Sequence, residues 1–283
     1  MKFGDFMRVF AIYEAKKIEN PLLETLRLFD VLSGGKVREA LRIRDADEID
    51  VETIAEMRQQ GVPLEYILGR AVFMGKTFYC ASDALIPRPE TSLLVSTAGD
   101  FIHKRKGRGA DTQIVIEIGT GCGNIAISLA FLCDKGVKIQ ASDISPAALE
   151  IARLNVQKFN VAEKVELFCG DLFGPFHGYQ SRVDIVICNP PYIPTTSLKK
   201  LAPEIIDHEP LVALDGGPYG IGFFRRLINE APNVLKQEGV LLFEIGEGQE
   251  RMIERLISQR DTYKNIEYFK YEEKVRVVSA IRK

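Results

Sequence analysis

The feature that most constrains this chain begins near residue 113, where short, almost unbroken apolar runs alternate with stretches of helical periodicity. Strands are expected at Ile114–Ile118, Val137–Ala141, Val165–Phe168 and Val183–Cys188, with helices at Asn124–Cys133 and Pro146–Lys158. Runs this apolar must be covered on both faces, and strands that alternate with helices lie parallel in one sheet. A helix around Phe223–Leu235, a strand Val240–Ile245, a helix Gln249–Ser258 and two last strands, Ile266–Tyr271 and Val275–Ile281, extend the pattern. The expected class is α/β.

Residues 1–70 read differently. Apolar residues fall at helical spacing in Phe6, Val9, Phe10 and Tyr13 and again in Leu22, Leu23, Leu26, Leu28 and Phe29, so a small helical unit is expected. Asn20 before Pro21 suits a helix start, and Thr53 with Glu56 has the spacing of a capping box. Residues 71–108 carry a short hairpin around Gly75 and then Pro87-Arg88-Pro89, which opens an amphipathic stretch from Glu90 to His103. The basic run Lys104-Arg105-Lys106-Gly107-Arg108-Gly109 reads as a solvated loop. Residues 109–283 form the sheet domain.

Charge and cysteine usage narrow the function classes. Lys plus Arg is 37 and Asp plus Glu is 39, a net charge of −2, which gives no electrostatic footprint for a phosphate backbone, so no direct nucleic-acid partner is expected. Cys80, Cys122, Cys133, Cys169 and Cys188 are odd in number and widely spaced, as reduced core thiols are. There is no CxxC pair, and His103, His177 and His208 lie far apart, so no metal site is expected. The start meets Asp5 before any apolar region, and no uncharged apolar stretch reaches the roughly 18 residues of a membrane span. A cytoplasmic protein without a membrane partner is the expectation.

The chemistry gathers at strand ends. Glu117-Ile118-Gly119-Thr120-Gly121-Cys122-Gly123 is a glycine loop between a strand and a helix, where backbone can approach a ligand closely. A dinucleotide fingerprint would need glycine where Asn124 stands, and the lysine of a phosphate-binding Walker loop is missing. Asp143 ends the next strand 20 residues after Gly123, where an acid accepts hydrogen bonds from ribose hydroxyls. Ser145 is the better N-cap for the helix that follows. Gly170-Asp171-Leu172 follows the third strand. Asn189-Pro190-Pro191-Tyr192 follows the fourth, and its residue types suit a planar nitrogen, whose delocalised lone pair makes it a poor nucleophile. The Asn189 side-chain oxygen and the Pro190 carbonyl can accept from both N–H groups and aim the nitrogen, while Tyr192 packs on the planar group.

The glycine loop resembles the first motif of class I S-adenosylmethionine methyltransferases, whose ligand lacks phosphate. The resemblance implies cofactor contacts from Glu117, Gly119, Thr120, Gly121, Cys122, Gly123 and Asp143, with Asp171 and Leu172 at the adenine and Asn189 beside the methyl. A wider resemblance, to the bacterial release-factor glutamine N5-methyltransferase family, takes in most of the chain. It rests on Gly61-x-Pro63-Leu64-x-Tyr66-Ile67-x-Gly69, Phe73-x-Gly75-x-x-Phe78, Ile86-Pro87-Arg88-Pro89-Glu90-Thr91, the glycine loop, Asp143, Asn189 to Tyr192, Glu209-Pro210, Ala213-Leu214 and Gly216-Gly217. Ser92, Tyr219 and the glycine-free Tyr271-Glu272-Glu273-Lys274 depart from the family pattern.

This resemblance implies a Rossmann-like class I methyltransferase sheet of seven strands, with an N-terminal helical domain that docks the release factor and is joined by a β-hairpin. It implies methyl transfer from S-adenosyl-L-methionine to the glutamine of a Gly-Gly-Gln tip, leaving S-adenosyl-L-homocysteine. Asn189, Pro190 and Tyr192 would carry catalysis, and Asn189, Pro190, Pro191 and Tyr192 would bind substrate. The transfer is expected to be direct and in-line without a dedicated general base, so Asp207, His208 and Glu209 are expected to be structural or at the substrate's edge. Three alternatives stay open: a glutamine methyltransferase of a large-subunit ribosomal protein, an adenine-N6 nucleic-acid methyltransferase, which the charge disfavours, and a non-catalytic cofactor-binding module, which the intact tetrapeptide disfavours.

Overall fold

The computed structural model describes residues 3–33, 51–105, 112–133, 136–259 and 261–283. Among the described residues four helices come first, α1 (Phe3–Ala15), α2 (Pro21–Ser33), α3 (Val51–Gln59) and the short α4 (Leu64–Ile67). Val9, Tyr13, Leu28, Phe29, Ile54 and Leu64 form their shared core. On α2 the apolar pattern misleads in part. Leu22, Leu23 and Leu26 are exposed, whereas Glu24 and Thr25 are buried beside Leu28 and Phe29, because Arg58 and Arg27 reach Glu24 at 2.9 and 2.8 Å. Pro21 opens α2 as expected, but α3 already begins at Val51, so Thr53 lies inside its first turn instead of capping it. Glu56 pairs with Lys16 across the unit at 2.9 Å.

A two-stranded hairpin, β1 (Arg70–Phe73) and β2 (Lys76–Tyr79), leads to α5 (Thr91–Arg105). This helix is part of the sheet domain's core, since Leu94, Val95, Ala98 and Ile102 are buried among residues of the sheet. Lys104 and Arg105 close α5, and positions 106–109 of the basic run lie outside the described residues.

The alternation then appears as β3 (Gln113–Ile118), α6 (Asn124–Leu132), β4 (Val137–Asp143), α7 (Pro146–Lys158), β5 (Val165–Cys169) and β6 (Val183–Cys188). After the short α8 (Pro203–Ile206) come α9 (Gly222–Val234), β7 (Leu235–Glu244), α10 (Glu250–Ser258), β8 (Tyr263–Tyr271) and β9 (Lys274–Arg282). The seven strands β3 to β9 lie in the order β5-β4-β3-β6-β7-β9-β8, parallel from β5 to β7, with β9 antiparallel to both β7 and β8. From Ile185 onward alternate residues of β6 serve opposite cores: Ile185 and Ile187 face the layer of α5 and α6, and Val186 and Cys188 face the layer of α9 and α10, while an irregularity between Val183 and Ile185 turns Val183 to the second layer as well. That division explains why these runs are almost unbroken in their apolar character.

The β8–β9 hairpin turns on Glu272 and Glu273, between the paired residues Tyr271 and Lys274, with φ of 44° and 66°. A two-residue turn with both φ values positive favours Asn-Gly, and each residue with a Cβ costs roughly 1 kcal/mol there. Glu272→Asn together with Glu273→Gly is expected to raise stability by about 1 kcal/mol, read as a higher urea midpoint at unchanged slope. An unmoved midpoint would show that the turn carries no such strain.

Candidate active site

The strand order reverses between β3 and β6, so the loops that leave their carboxyl ends diverge and open a crevice. Ile118 pairs with Ser142 on one side and with Cys188 on the other, which brings the glycine loop, Asp143 and Asn189 to one edge of the sheet. Gly119, Gly121 and Gly123 have φ of 72°, 54° and 84°, a path that a Cβ would strain. The loop is tied to β4. The N–H groups of Gly119 and Thr120 donate to the Ser142 carbonyl at 2.8 and 2.9 Å, and that of Gly121 donates to Asp143 Oδ2 at 2.8 Å. Ser145 N–H donates to Asp143 Oδ1 at 2.9 Å, and Ser145 Oγ accepts from Ala148 N–H as the cap of α7. Each Asp143 oxygen therefore keeps a lone pair for a ligand.

A cavity of about 300 Å³ fills this crevice. Of the residues singled out in the sequence, Gly119, Thr120, Gly121 and Asp143 line one side, Asp171 and Leu172 a second, and Asn189, Pro190 and Pro191 a third. Glu117, Cys122 and Gly123 do not line it. Cys122 is buried, packs with Ala84, Ala148 and Ile151, and has its thiol pushed up to about 12 by burial. Asp171 is half exposed and paired with Arg226 at 2.7 Å. Glu117 is fully buried, and it accepts from the Thr120 hydroxyl at 2.9 Å.

A second cavity, of about 170 Å³, adjoins the first. Asn189 and Pro190 line both, and Tyr192 lines only the second. The tetrapeptide is thus a shared wall with a pocket on either side. The segment that closes the second pocket is held by Arg88, which meets the buried Glu209 at 2.5 Å, and by Arg58, which meets Glu204 of α8 at 2.8 Å. A Cβ on Gly220 would stand 2.3 Å from the Tyr192 carbonyl, so glycine is required where this segment crosses the tetrapeptide. Of the trio Asp207, His208 and Glu209, the last is a structural partner of Arg88, with its carboxyl raised by burial.

The groups that brace the wall are not among the residues singled out in the sequence for these roles. Asn189 Nδ2 donates to Thr91 Oγ1 at 3.2 Å, and the Thr91 hydroxyl donates to Glu244 Oε2 at 2.7 Å. The Tyr192 hydroxyl donates to Glu244 Oε1 at 3.3 Å and accepts from Arg276 Nη2 at 2.9 Å. Gln249 Nε2 donates to the Tyr192 carbonyl at 3.0 Å. One signal for this network was available: Glu244 is a lone charge inside the apolar run of β7. Among the described residues no group of His, Cys, Asp and Glu side chains is arranged to hold a metal, and no helix is long and apolar enough to cross a membrane.

Burial raises the Glu117 carboxyl to about 8. Between its unfolded value near 4.5 and about 8 the folded chain then holds a proton that the unfolded chain releases, so this group lowers stability as pH rises through that window. Glu117→Gln is expected to flatten the pH dependence, with a larger gain in urea midpoint at about pH 8.5 than at about pH 5. Parallel curves for the variant and the parent would mean that Glu117 ionises without penalty.

The methyltransferase small domain family matches this chain over residues 103–218. The release factor glutamine methyltransferase of Bacillus cereus is 37% identical over 209 residues, covering 74% of this chain and 72% of its own. That of Synechocystis sp. is 32% identical over 275 residues, covering 93% and 91%. The solved structure of a methyltransferase from Pyrococcus furiosus shares the fold with a TM-score of 0.51 and 18% identity, covering 80% of this chain and 98% of that one. With relatives this similar over this much of its length, and with the glycine loop and the Asn189 tetrapeptide at adjoining strand ends, the chain belongs to the release factor glutamine methyltransferase family.

Proposed function

We propose that this protein transfers a methyl group from S-adenosyl-L-methionine to the side-chain amide nitrogen of a glutamine in a peptide chain release factor, in the cytoplasm, leaving S-adenosyl-L-homocysteine. The observation that carries this reading is the shared wall: Asn189 and Pro190 stand between the larger cavity, against the glycine loop and Asp143, and the smaller one, against Tyr192.

The larger cavity suits the cofactor. Asp143 offers lone pairs for ribose hydroxyls, its carboxylate held in place by the Gly121 and Ser145 amides. Leu172 and Ile144 give an apolar flank for an adenine, and the loop has no lysine because a sulfonium nucleoside brings no phosphate. Bound there, the cofactor supplies an electrophilic methyl carbon. The chain's own residues then have one task, to hold an amide nitrogen in line with it. Asn189 Oδ1 and the Pro190 carbonyl accept from the two N–H groups, and the Tyr192 ring packs against the amide plane. Positioning of this kind is worth several kcal/mol when the reacting atoms are held about 3–3.5 Å apart. Glu117, Cys122 and Gly123 shape the loop from behind.

We assign docking of the release factor to residues 1–70, since Arg58 joins that unit to the segment that closes the smaller cavity. The relatives are named for this substrate, and a net charge of −2 does not favour nucleic acid.

Asp143→Ala is expected to weaken S-adenosylmethionine binding by about ten- to hundredfold, because charge-assisted bonds of about 1.5–3 kcal/mol are lost. Calorimetry on the folded variant measures it, and unchanged affinity would place the cofactor elsewhere.

Asn189→Ala should lower kcat on release factor by about a hundredfold or more with little change in cofactor affinity, as when one preorganised polar group is lost. Asn189→Asp should also be slow, since its charge stabilises the sulfonium in the ground state. Radiolabelled methyl transfer to release factor, to a large-subunit ribosomal protein and to DNA, run side by side, reads both variants and the substrate together. Near-parental rates in both variants would reduce the tetrapeptide to a structural turn.

A further inference from the structure

An asparagine amide has two ends of nearly the same shape, and only one of them serves this site. If Asn189 turned its NH₂ toward a substrate amide, donor would face donor. Some group must therefore tell the two ends apart. Thr91 Oγ1, 3.2 Å from Asn189 Nδ2, does not do so alone, because a hydroxyl can accept or donate. Its one proton is committed, however, to Glu244 Oε2 at 2.7 Å. Thr91 then shows Asn189 only lone pairs, which admit Nδ2 and repel Oδ1.

The other Glu244 oxygen governs the far end of the tetrapeptide. It accepts from the Tyr192 hydroxyl at 3.3 Å, and that hydroxyl accepts from Arg276 Nη2 at 2.9 Å. Every polar hydrogen along both branches thus points toward one carboxylate. A carboxylate can end two such branches because it donates nothing, whereas a protonated carboxyl, or an amide in its place, must reverse one of them.

We infer that Glu244 is a positioning residue: acting through Thr91 it fixes which end of the Asn189 amide meets the substrate, and through its other oxygen it sets the Tyr192 hydroxyl. The inference rests on the reading of Asn189 as an acceptor for the substrate amide. Glu244 is fully buried, so its action runs through these partners.

The groups that face Glu244 come from three elements. Thr91 and Glu90 stand at the start of α5, Cys188 and Tyr192 at the end of β6, and Arg276 on β9, 3.5 Å away. Burial and Glu90 disfavour the carboxylate and Arg276 favours it, which leaves Glu244 raised to about 7. Burial keeps the Cys188 thiol and the Tyr192 hydroxyl protonated at that pH. As pH falls through about 7, Glu244 takes up a proton, one branch reverses, and kcat should decline.

The test uses the full chain with purified release factor. kcat and KM are measured from about pH 5.5 to about 9 for the parent, Glu244→Gln, Thr91→Val and Thr91→Ser, with S-adenosylmethionine affinity measured by calorimetry. Glu244→Gln should lower kcat at about pH 8 by at least about tenfold, lose the acid limb, and keep cofactor affinity within about twofold. Thr91→Val, which keeps the shape and loses the hydroxyl, should fall by a similar factor. Thr91→Ser, which restores the hydroxyl, should recover most of the loss. Parental kcat in Thr91→Val, or an acid limb that persists in Glu244→Gln, overturns the inference. If Glu244→Gln fails to fold, the Thr91 pair decides alone. A parent that binds cofactor yet leaves release factor unmethylated overturns the functional reading itself, whereas an active parent with indifferent variants overturns only the role of Glu244.

Discussion

A carboxylate with no exposed surface on a central strand must be compensated, and the way Glu244 is compensated organises the site. Desolvating it costs several kcal/mol, which a single opposite charge at 3.5 Å repays only in part. The remainder comes from the hydroxyls of Thr91 and Tyr192. These partners lie 153, 52 and 32 residues away along the chain, so meeting the needs of one carboxylate joins the start of α5, the turn after β6, and β9. Removing a partner would leave the charge exposed to an apolar interior. α5 is for this reason more than a connector between hairpin and sheet: its first residue completes the polar network while its later turns fill the core.

The location of the cavities follows from topology in a similar way. Parallel strands send all their carboxyl ends to one edge, and the reversal of order at β3 and β6 keeps the space between their loops clear. The glycine loop takes one side of that space and the tetrapeptide the other. The second cavity needs more than the sheet, because its outer wall is a segment of short turns from Thr195 to Gly222 whose backbone hydrogen bonds are mostly local and so do not by themselves fix it against the sheet. Long-range contacts hold it: Arg88 on Glu209, Arg58 on Glu204, and the close crossing of Gly220 over the Tyr192 backbone.

What could be read in the sequence was local. Strand runs such as Val183–Cys188, the glycine path at 119–123 and the Ser145 cap each depend on neighbours within a few residues, so their residue types disclose them. The Asn189 tetrapeptide stood out for a chemical reason, since a planar amide nitrogen has to be aimed by acceptors for both of its N–H groups. What escaped depends on partners distant in the chain. Nothing near Leu22, Leu23 or Leu26 says that Glu24 will turn inward instead, because the cause is Arg58 on another helix. Glu117 and Cys122 belong to the loop motif, but strand alternation turns Glu117 to the face opposite Ile116 and Ile118, where it is fully buried and does not line the cavity. The glycine missing from the β8–β9 turn could be seen, and the structure accommodates its absence with two residues at positive φ.

Two carboxyls held well above their ordinary range, Glu117 behind the glycine loop and Glu244 behind the Asn189 tetrapeptide, bracket the site from the protein side. Neither lines the cavities, so neither is placed to exchange a proton with the reacting amide. Their effect is on geometry: Glu117 takes the Thr120 hydroxyl, and Glu244 takes those of Thr91 and Tyr192. A reaction that relies on orientation gains from polar groups whose directions are settled before the substrate arrives, because nothing has to rotate as charge moves in the transition state. The burial that makes these carboxyls costly to the fold also keeps water from competing for the hydroxyls they hold. The same desolvation therefore lowers the stability of the folded chain and gives Asn189 one orientation in place of two.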